Sequence, residues 1–181
     1  PFKPRRCKVR RTECGMKMNA IVSVDNNWGI GCDGDLLFHV PEDMRYFKNM
    51  TTGKVVLMGE KTFFSLPGQK PLKDRVNVVL SDNRDLTIDG AAVAHSLGEA
   101  LEAVRGYNPA DVFVIGGQAV YELTLDVCDT VFVTKFRAGK LADKFFPDLD
   151  QKAEWKLTAV SEPREHDGLV FTFNRYDRVR R

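Results

Sequence analysis

Two glycines at the end of an apolar run are the first residues that could do chemistry. Residues 112–115 predict a strand that leads directly into Gly116 and Gly117, and a helix is predicted to begin at Gln118. Glycines let a ligand approach the backbone closely, and the free N–H groups at a helix start favour a phosphate. The spacing fits neither GxGxxG nor a Walker A loop, because no Lys-Ser/Thr pair follows. Alone, the glycine pair is equally consistent with a tight strand-to-helix turn.

An acid and a base in apolar settings are the other two candidates. Asp43 lies in the first turn of a predicted helix, close to Met44 and Phe47. Most acids there only complement the helix dipole, but an acid bordered by apolar groups has a raised pKa and can bind a cationic or amidine-like partner. Arg75 stands at the entrance of an apolar run, where its guanidinium could clamp a carboxylate. A lone Arg is usually solvated, so a binding role for Arg75 needs support from the other two sites.

Apolar periodicity predicts the elements that must position these residues. Strands are predicted at 18–24, 54–58, 76–80, 91–94, 112–115, 130–136, 155–160 and 169–176. Helices are predicted at 41–50, 62–66, 97–105 and 118–127, with a mobile glycine loop at 26–35 and a polar loop at 162–167. Strands that are apolar throughout and separated by helices favour parallel pairing, with both faces of the sheet covered. The last two strands are expected to join one edge of this sheet in antiparallel orientation. We therefore expect a three-layer α/β domain.

The composition excludes several classes of protein. The 181 residues suit a single domain, and 43% hydrophobic with 29% charged residues is typical of a globular chain. No apolar run approaches the roughly 20 residues of a membrane span, and no apolar targeting segment is present. We therefore expect a cytoplasmic protein without a membrane partner. The four cysteines do not form a disulfide scaffold, and Cys7 and Cys14 lack the spacing of a zinc site, so no metal is expected.

The small net charge of +2 hides a basic N-terminal segment. Residues 1–17 contain seven Lys or Arg and one Glu, whereas the rest of the chain has 20 bases and 24 acids. Such an arm can bind nucleic acid, but aromatic residues do not alternate with its bases, and we expect no nucleic-acid partner. We interpret 1–17 as an N-terminal extension, with Met16 and Met18 both suited as starts, and 18–181 as the domain.

Together, these segments resemble dihydrofolate reductase. The matching pieces, over about residues 18–177, are 20–22, 29–31, 34–36, the Asp43 helix with Phe47, 58–59, 61–63, 71–81, 114–121 and 145–147. The resemblance implies a central, mostly parallel sheet of eight strands with an antiparallel C-terminal edge strand and helices on both faces. It also implies NADPH-dependent reduction of 7,8-dihydrofolate to tetrahydrofolate, which feeds one-carbon metabolism and thymidylate synthesis. A monomer that binds antifolate inhibitors is expected.

The resemblance also implies roles for individual residues in the substrate site. Asp43 would hydrogen-bond N3 and the 2-amino group of the pterin, with Thr134 as support, and Arg75 would bind the α-carboxylate of the glutamyl tail. Hydride would pass to C6, and N5 would take a proton through water with help from Asp43. Leu36 and Phe38 complete the catalytic set. The remaining substrate-binding positions are Ala20, Ile21, Met44, Phe47, Ser65, Leu72, Ile115 and Tyr121.

The cofactor positions follow from the same match. Ile30, Gly31 and Leu36 would form the lid that closes on the nicotinamide. The remaining cofactor positions are Ile21, Gly59, Lys61, Thr62, Leu80, Ser81, Asp82, Ile115, Gly116, Gly117, Gln118, Ala119, Val120 and Tyr121. A cis peptide is expected between Gly116 and Gly117, and Lys70–Pro71 is a second, weaker cis candidate.

The sequence departs from the family pattern at three places. Leu37-Phe38 replaces the usual Pro-Trp, and Phe38 cannot donate the hydrogen bond of the Trp, although His39 could compensate. Glu60 stands where a base usually faces the cofactor's phosphates, and Ala119 replaces a longer or polar side chain. We expect NADPH to be preferred, but by a smaller margin than with a base at position 60.

Two alternatives remain open at this stage. A pyrimidine reductase of the riboflavin pathway also uses NADPH and a glycine pair, but it should lack the set of Asp43, Phe47 and Arg75. The other alternative is a nucleic-acid-binding protein, in which the basic arm is attached to an inactive reductase domain. Salt-dependent DNA binding that disappears without residues 1–15 would support that binder, whereas dihydrofolate turnover by the shortened chain would support the enzyme.

Overall fold

The computed structural model describes residues 17–179, so the basic segment 1–16, with Cys7 and Cys14, lies outside the described residues. The strands are β1 Met18–Val24, β2 Gly29–Cys32, β3 Asp35–Leu36, β4 Val55–Gly59, β5 Val76–Leu80, β6 Ala91–Ala94, β7 Val112–Gly116, β8 Cys128–Phe136, β9 Lys144–Phe145, β10 Trp155–Val160, β11 Arg164–His166 and β12 Leu169–Arg178. The helices are α1 Pro41–Thr51, α2 Glu60–Ser65, α3 Leu97–Val104 and α4 Gln118–Thr124. Short 3-10 turns cover Pro67–Gln69, Pro109–Asp111, Leu125–Val127 and Leu149–Gln151.

The main sheet runs in the order β10-β12-β8-β1-β7-β4-β5-β6, and β11 pairs with β12. Neighbouring strands pair in parallel within the part β8-β1-β7-β4-β5-β6. In contrast, β12 is antiparallel to β8, and β10 is antiparallel to β12. The predicted mixed sheet is confirmed. The C-terminal strand lies one position inside the edge, because β10 covers it.

Consecutive residues of the central strands point to opposite faces and contact different helices. In β4, Val55 and Leu57 belong to a core cluster that includes residues of α3 and α4, whereas Val56 and Met58 pack with Phe63 of α2. All four β4 side chains are fully buried. This explains why the strand is apolar throughout, and it confirms the predicted layers on both sides of the sheet.

The loop predicted at 26–35 is wrong, because two short strands form within it. β2 pairs antiparallel with β3 and with β9, which together make a separate three-stranded sheet. Gly31 permits this close pairing, since a Cβ at that position would lie 2.7 Å from the carbonyl oxygen of Asp35. The loop predicted at 162–167 likewise contains β11. The helix predicted to Val127 ends at Thr124 and continues only as a 3-10 turn.

A buried carboxylate anchors the start of this small sheet. Asp25 is 1% exposed, and its Oδ1 accepts hydrogen bonds from the backbone N–H groups of Asn27 and Gly29, both at 2.8 Å. Its Oδ2 accepts from the backbone N–H of Lys140 at 3.1 Å. The side chain therefore joins the turn after β1, the start of β2 and the loop before β9.

We expect Asp25→Ala to lower the free energy of unfolding by about 2–4 kcal/mol. The substitution removes charge-assisted hydrogen bonds and leaves buried N–H groups without a partner. Urea denaturation at neutral pH measures the change, with Asp89→Ala, which removes an exposed acid, as the control. Equal stability of the two variants would contradict the anchoring role.

Candidate active site

The main sheet opens between β1 and β7. The two strands pair only at Asn19–Phe113 and Ala20–Val114, although β1 continues to pair with β8 as far as Val24. The next residues, Ile21 and Ile115, no longer pair with each other. Because the opening lies beyond the paired region, towards the carboxyl ends of two parallel strands, it is the kind of crevice in which α/β sheets bind ligands.

Tyr121 of α4 closes the floor of this crevice. Its hydroxyl donates a hydrogen bond of 2.7 Å to the carbonyl oxygen of Ile21, and burial raises its pKa far above the usual range. The ring also lies against Gly116, where a Cβ would come within 3.2 Å of the Tyr121 Cε2. Tyr121 therefore bridges β1 and the end of β7 as a neutral hydrogen-bonding group.

Asp43 is the acid of the crevice. It lies in the first turn of α1 and is 9% exposed, whereas its neighbour Met44 is 48% exposed. Burial raises the pKa of Asp43 to about 6, while its hydrogen bond with the Thr134 side chain acts to lower it. The helix thus buries a carboxylate and leaves an apolar side chain in solvent, which reverses the usual preference and is typical of a functional site.

The structure brings Asp43 and Thr134 together, as the sequence predicted. Thr134 is 2% exposed in β8 and points away from the core cluster that contains its neighbour Val133. Phe47, one turn after Asp43, is half-buried, so it and Met44 leave apolar surface beside the acid. The arrangement can hold a flat group whose edge donates hydrogen bonds and whose faces are apolar.

Arg75 is held in place by neutral acceptors. Its Nε donates to the Thr51 hydroxyl at 2.9 Å, its Nη1 to the carbonyl oxygen of Lys73 at 2.9 Å and its Nη2 to the Thr52 hydroxyl at 3.5 Å. The guanidinium carbon lies 5.9 Å from the centre of the Phe47 ring, and burial lowers the pKa of Arg75. Because its acceptors carry no charge, the fixed guanidinium can receive an anionic group next to Phe47.

The predicted cis peptide between Gly116 and Gly117 is confirmed, whereas the cis bond predicted at Lys70–Pro71 is wrong, since residues 17–179 contain no other. A Cβ on Gly117 would lie 3.2 Å from the Thr62 hydroxyl, and one on Gly59 would lie 3.0 Å from Val120. The starts of α2 and α4 therefore lie side by side at the carboxyl ends of β4 and β7. Closely placed backbone and a hydroxyl suit a phosphate-containing group.

The other predicted cofactor residues are placed around this turn. The Oε1 of Gln118 accepts a hydrogen bond of 2.9 Å from the backbone N–H of Phe145, which links α4 to β9, while Ala119 is exposed. Leu80 ends β5, the neighbour of β4, and Ser81 and Asp82 follow it. Lys61 is exposed on α2. These residues lie at one end of the sheet.

The predicted lid residues differ in their surroundings. Ile30 and Gly31 are buried in β2, whereas Leu36 is 47% exposed. Phe38 is 5% exposed and stacks on Phe136 at 4.3 Å between ring centres, which makes it part of a core cluster. His39 is exposed, and its Nε2 lies 3.2 Å from the Asp35 carboxylate, so it does not replace an indole donor.

The remaining substrate residues lie on the α2 side, where a polar residue supports them. Leu72 is half-buried, and its N–H and carbonyl groups bind the Oδ1 and Nδ2 of Asn77 at 2.9 and 3.0 Å. Ser65 is exposed and donates to the carbonyl oxygen of Thr62 at 2.7 Å. Asn77 was missed in the sequence, although a polar residue within a buried apolar strand is itself a signal.

Ser23 is a second residue that sequence reasoning missed. It lies in β1 opposite Thr134 and two residues beyond Ile21, so it shares the face of the sheet that carries both. Ser23 is half-buried. The period of two along a strand could have identified it, because it places Ser23 on the same face as Ile21, which the resemblance had selected.

The raised pKa of Asp43 predicts how stability depends on pH. An acid whose pKa rises from about 4 in the unfolded chain to about 6 in the folded protein favours folding below pH 4, and this contribution is lost as pH rises to 6. The free energy of unfolding of Asp43→Asn, relative to that of the parent chain, should therefore increase by on the order of 2–3 kcal/mol as the pH rises from 4 to 7.

Urea denaturation of both proteins at several pH values measures this gain. The control is Asp89→Asn, which makes the same change at an exposed acid. A constant difference in stability between Asp43→Asn and the parent chain over pH 4–7 would contradict the raised pKa.

Comparison with known proteins identifies the family. The family model described as dihydrofolate reductase matches residues 17–178. The chain is 37% identical to dihydrofolate reductase of Bacillus subtilis (strain 168) over 142 residues, covering 78% of this chain and 82% of the relative. It is 36% identical to dihydrofolate reductase of Rattus norvegicus over 182 residues, covering 89% and 97%.

A solved structure agrees with these relatives. Dihydrofolate reductase from Enterococcus faecalis, complexed with NADP(H) and RAB-propyl, superimposes with a TM-score of 0.80 and 30% sequence identity. The match covers 91% of this chain and 97% of that chain. The fold, the sequence relatives and the crevice agree: the chain belongs to the dihydrofolate reductase family of NADPH-dependent oxidoreductases.

Proposed function

We propose that this chain reduces 7,8-dihydrofolate to 5,6,7,8-tetrahydrofolate with NADPH, and so supplies one-carbon metabolism and thymidylate synthesis. The observation that carries the proposal is the buried Asp43 carboxylate, hydrogen-bonded with Thr134 and bordered by the exposed Met44 and the half-buried Phe47. A pterin has a ring N–H and an amino group along one edge, and a carboxylate can accept from both at once. Family membership supports the same substrate.

Asp43 holds the ring and acts on the proton of the reaction. Its carboxylate lies in a poorly solvated crevice, where an anion attracts a developing positive charge more strongly than in water. In our proposal the Asp43 carboxylate makes N5 of the pterin more basic, and water delivers the proton to N5. Thr134 keeps the carboxylate oriented, so that both of its oxygens face the pterin.

The glycine turn and its neighbours fit a dinucleotide. A side chain at Gly117 would press on the Thr62 hydroxyl, so the backbone and this hydroxyl together line a space that only glycine leaves open. Gly116, Gly117, Thr62 and Gln118 would hold the pyrophosphate, and Ile30 and Gly31 would cover the nicotinamide and exclude water. When bound, NADPH supplies the hydride.

We also propose that the protein is a cytoplasmic monomer that binds antifolate inhibitors. The structure of the Enterococcus faecalis relative with RAB-propyl supports the inhibitor class. Within residues 17–179, Cys32 and Cys128 are both free thiols, as in reducing compartments. None of the helices in the described part of the chain is long and apolar enough to cross a membrane.

We expect Asp43→Asn to reduce turnover of dihydrofolate at neutral pH by at least about 100-fold, because one positioned acid–base group contributes that much or more. Absorbance-monitored NADPH oxidation with and without dihydrofolate measures the effect. Binding of NADPH, followed by fluorescence, should be unchanged. Near-normal turnover by Asp43→Asn would refute the role of the acid, and Asp89→Asn serves as the matched control.

We expect Arg75→Gln to raise KM for dihydrofolate by about 10- to 100-fold with little change in kcat, since it removes a charge-assisted clamp on the glutamyl tail. The control is a dihydropterin without a glutamyl tail, whose kcat/KM should be equal in both proteins. An equal loss with both substrates would show that Arg75 supports α1 and β5 instead of binding the tail.

A further inference from the structure

We infer that Glu60 adapts this chain to NADH as a second reductant, by accepting hydrogen bonds from the adenine ribose of a cofactor that carries no 2′-phosphate. The inference rests on the proposed function, because it assumes that a nicotinamide dinucleotide lies along the carboxyl ends of β4 and β5. It concerns a residue that departs from the usual base at this position.

Glu60 is fixed at the end of the sheet and does not extend freely into solvent. It is the first residue of α2, directly after β4, and is half-buried. Its Oε2 accepts a hydrogen bond from the hydroxyl of Ser81, which follows β5, the neighbouring strand. The carboxylate therefore lies between the ends of two parallel strands, where the ribose of a dinucleotide binds in α/β sheets.

Ser81 is itself held from several sides. It is 6% exposed, and its Oγ accepts a hydrogen bond of 3.0 Å from the backbone N–H of Asn83. Its carbonyl oxygen accepts from the Nδ1 of His95, at the end of β6, at 2.9 Å. While the Ser81 hydroxyl donates its proton to Glu60, it does not donate to a phosphate.

The hydrogen-bonding capacity of this pair complements a diol. An ionised carboxylate only accepts, and Glu60 has lone pairs left after its bond with Ser81. The ribose of NADH offers two hydroxyl donors at its 2′ and 3′ positions, whereas the 2′-phosphate of NADPH is itself an acceptor and a dianion. Glu60 thus binds the first group and repels the second.

The charges around Glu60 and Ser81 are compatible with both cofactors. Asp82, next to Ser81, adds a second acid, which is exposed, whereas Lys61 and Arg84 are the exposed bases nearest in sequence. These bases can reach a 2′-phosphate from solvent, where a single charge contributes only a modest attraction. We therefore expect NADPH to remain a substrate, while Glu60 removes most of the discrimination against NADH.

Steady-state kinetics with both cofactors at saturating dihydrofolate test the inference. The proteins are the parent chain, Glu60→Gln, Glu60→Arg and the control Glu102→Gln, which changes an exposed acid on α3. We expect the parent chain to turn over with NADH. Glu60→Gln should raise the ratio of kcat/KM for NADPH to that for NADH by about tenfold, and Glu60→Arg should raise it further. Glu102→Gln should leave the ratio unchanged.

Two results would overturn the inference: equal effects of Glu60→Gln on both cofactors, or no turnover with NADH by a parent chain that is active with NADPH. Calorimetric titration with ADP-ribose and with its 2′-phosphate gives a readout without catalysis. Glu60→Gln should weaken binding of ADP-ribose and tighten binding of the phosphorylated form. Absence of dihydrofolate turnover with either cofactor would refute the proposed function, while the titration would still decide the role of Glu60.

Discussion

Burial of one carboxylate is the constraint on which the active site depends. Asp43 loses most of its hydration at the start of α1, and its pKa rises to about 6 as a result. Such a group is tolerated only where a partner compensates it, and Thr134 of β8 supplies the hydrogen bond. The opening between β1 and β7 lies next to β8, the strand that carries Thr134.

The small sheet of β2, β3 and β9 depends on contacts between segments that are far apart in the chain. Asp25 joins the turn after β1 to Lys140, β2 pairs with β9, and Gln118 of α4 binds the backbone of Phe145. The ammonium group of Lys140 also lies 4.6 Å from the centre of the Phe38 ring. Phe38 is thereby packed as a core residue, which accounts for an apolar ring where the family has an indole.

The proposed cofactor end of the sheet combines a backbone turn typical of the family with an unusual charge. The cis peptide at Gly116 is where the resemblance implies it, and the Thr62 hydroxyl lies beside Gly117. Beside them, Glu60 is engaged with Ser81 instead of offering a positive charge. The glycine turn proposed to bind the pyrophosphate is compatible with either dinucleotide, so in our proposal the side chains around the ribose determine the choice between them.

Local patterns in the sequence were sufficient for most elements of the sheet and for α1. Apolar runs such as 76–80 and the pattern of Pro41 followed by acids depend on neighbouring residues, and β5 and α1 form where they predict. The resemblance added the cis bond at Gly116 and the pairing of Asp43 with Thr134, which no local pattern contains.

The tertiary structure alone decided what depends on distant partners. Strands β2 and β3 form within a predicted loop because β9 lies beside β2, and no residue pattern in 26–35 predicts that pairing. Whether Phe38 faced a ligand or the core was decided by Phe136, and whether Glu60 faced solvent was decided by Ser81. Sequence determines the chemistry that each side chain can do, but direction and burial depend on contacts that only the folded chain makes.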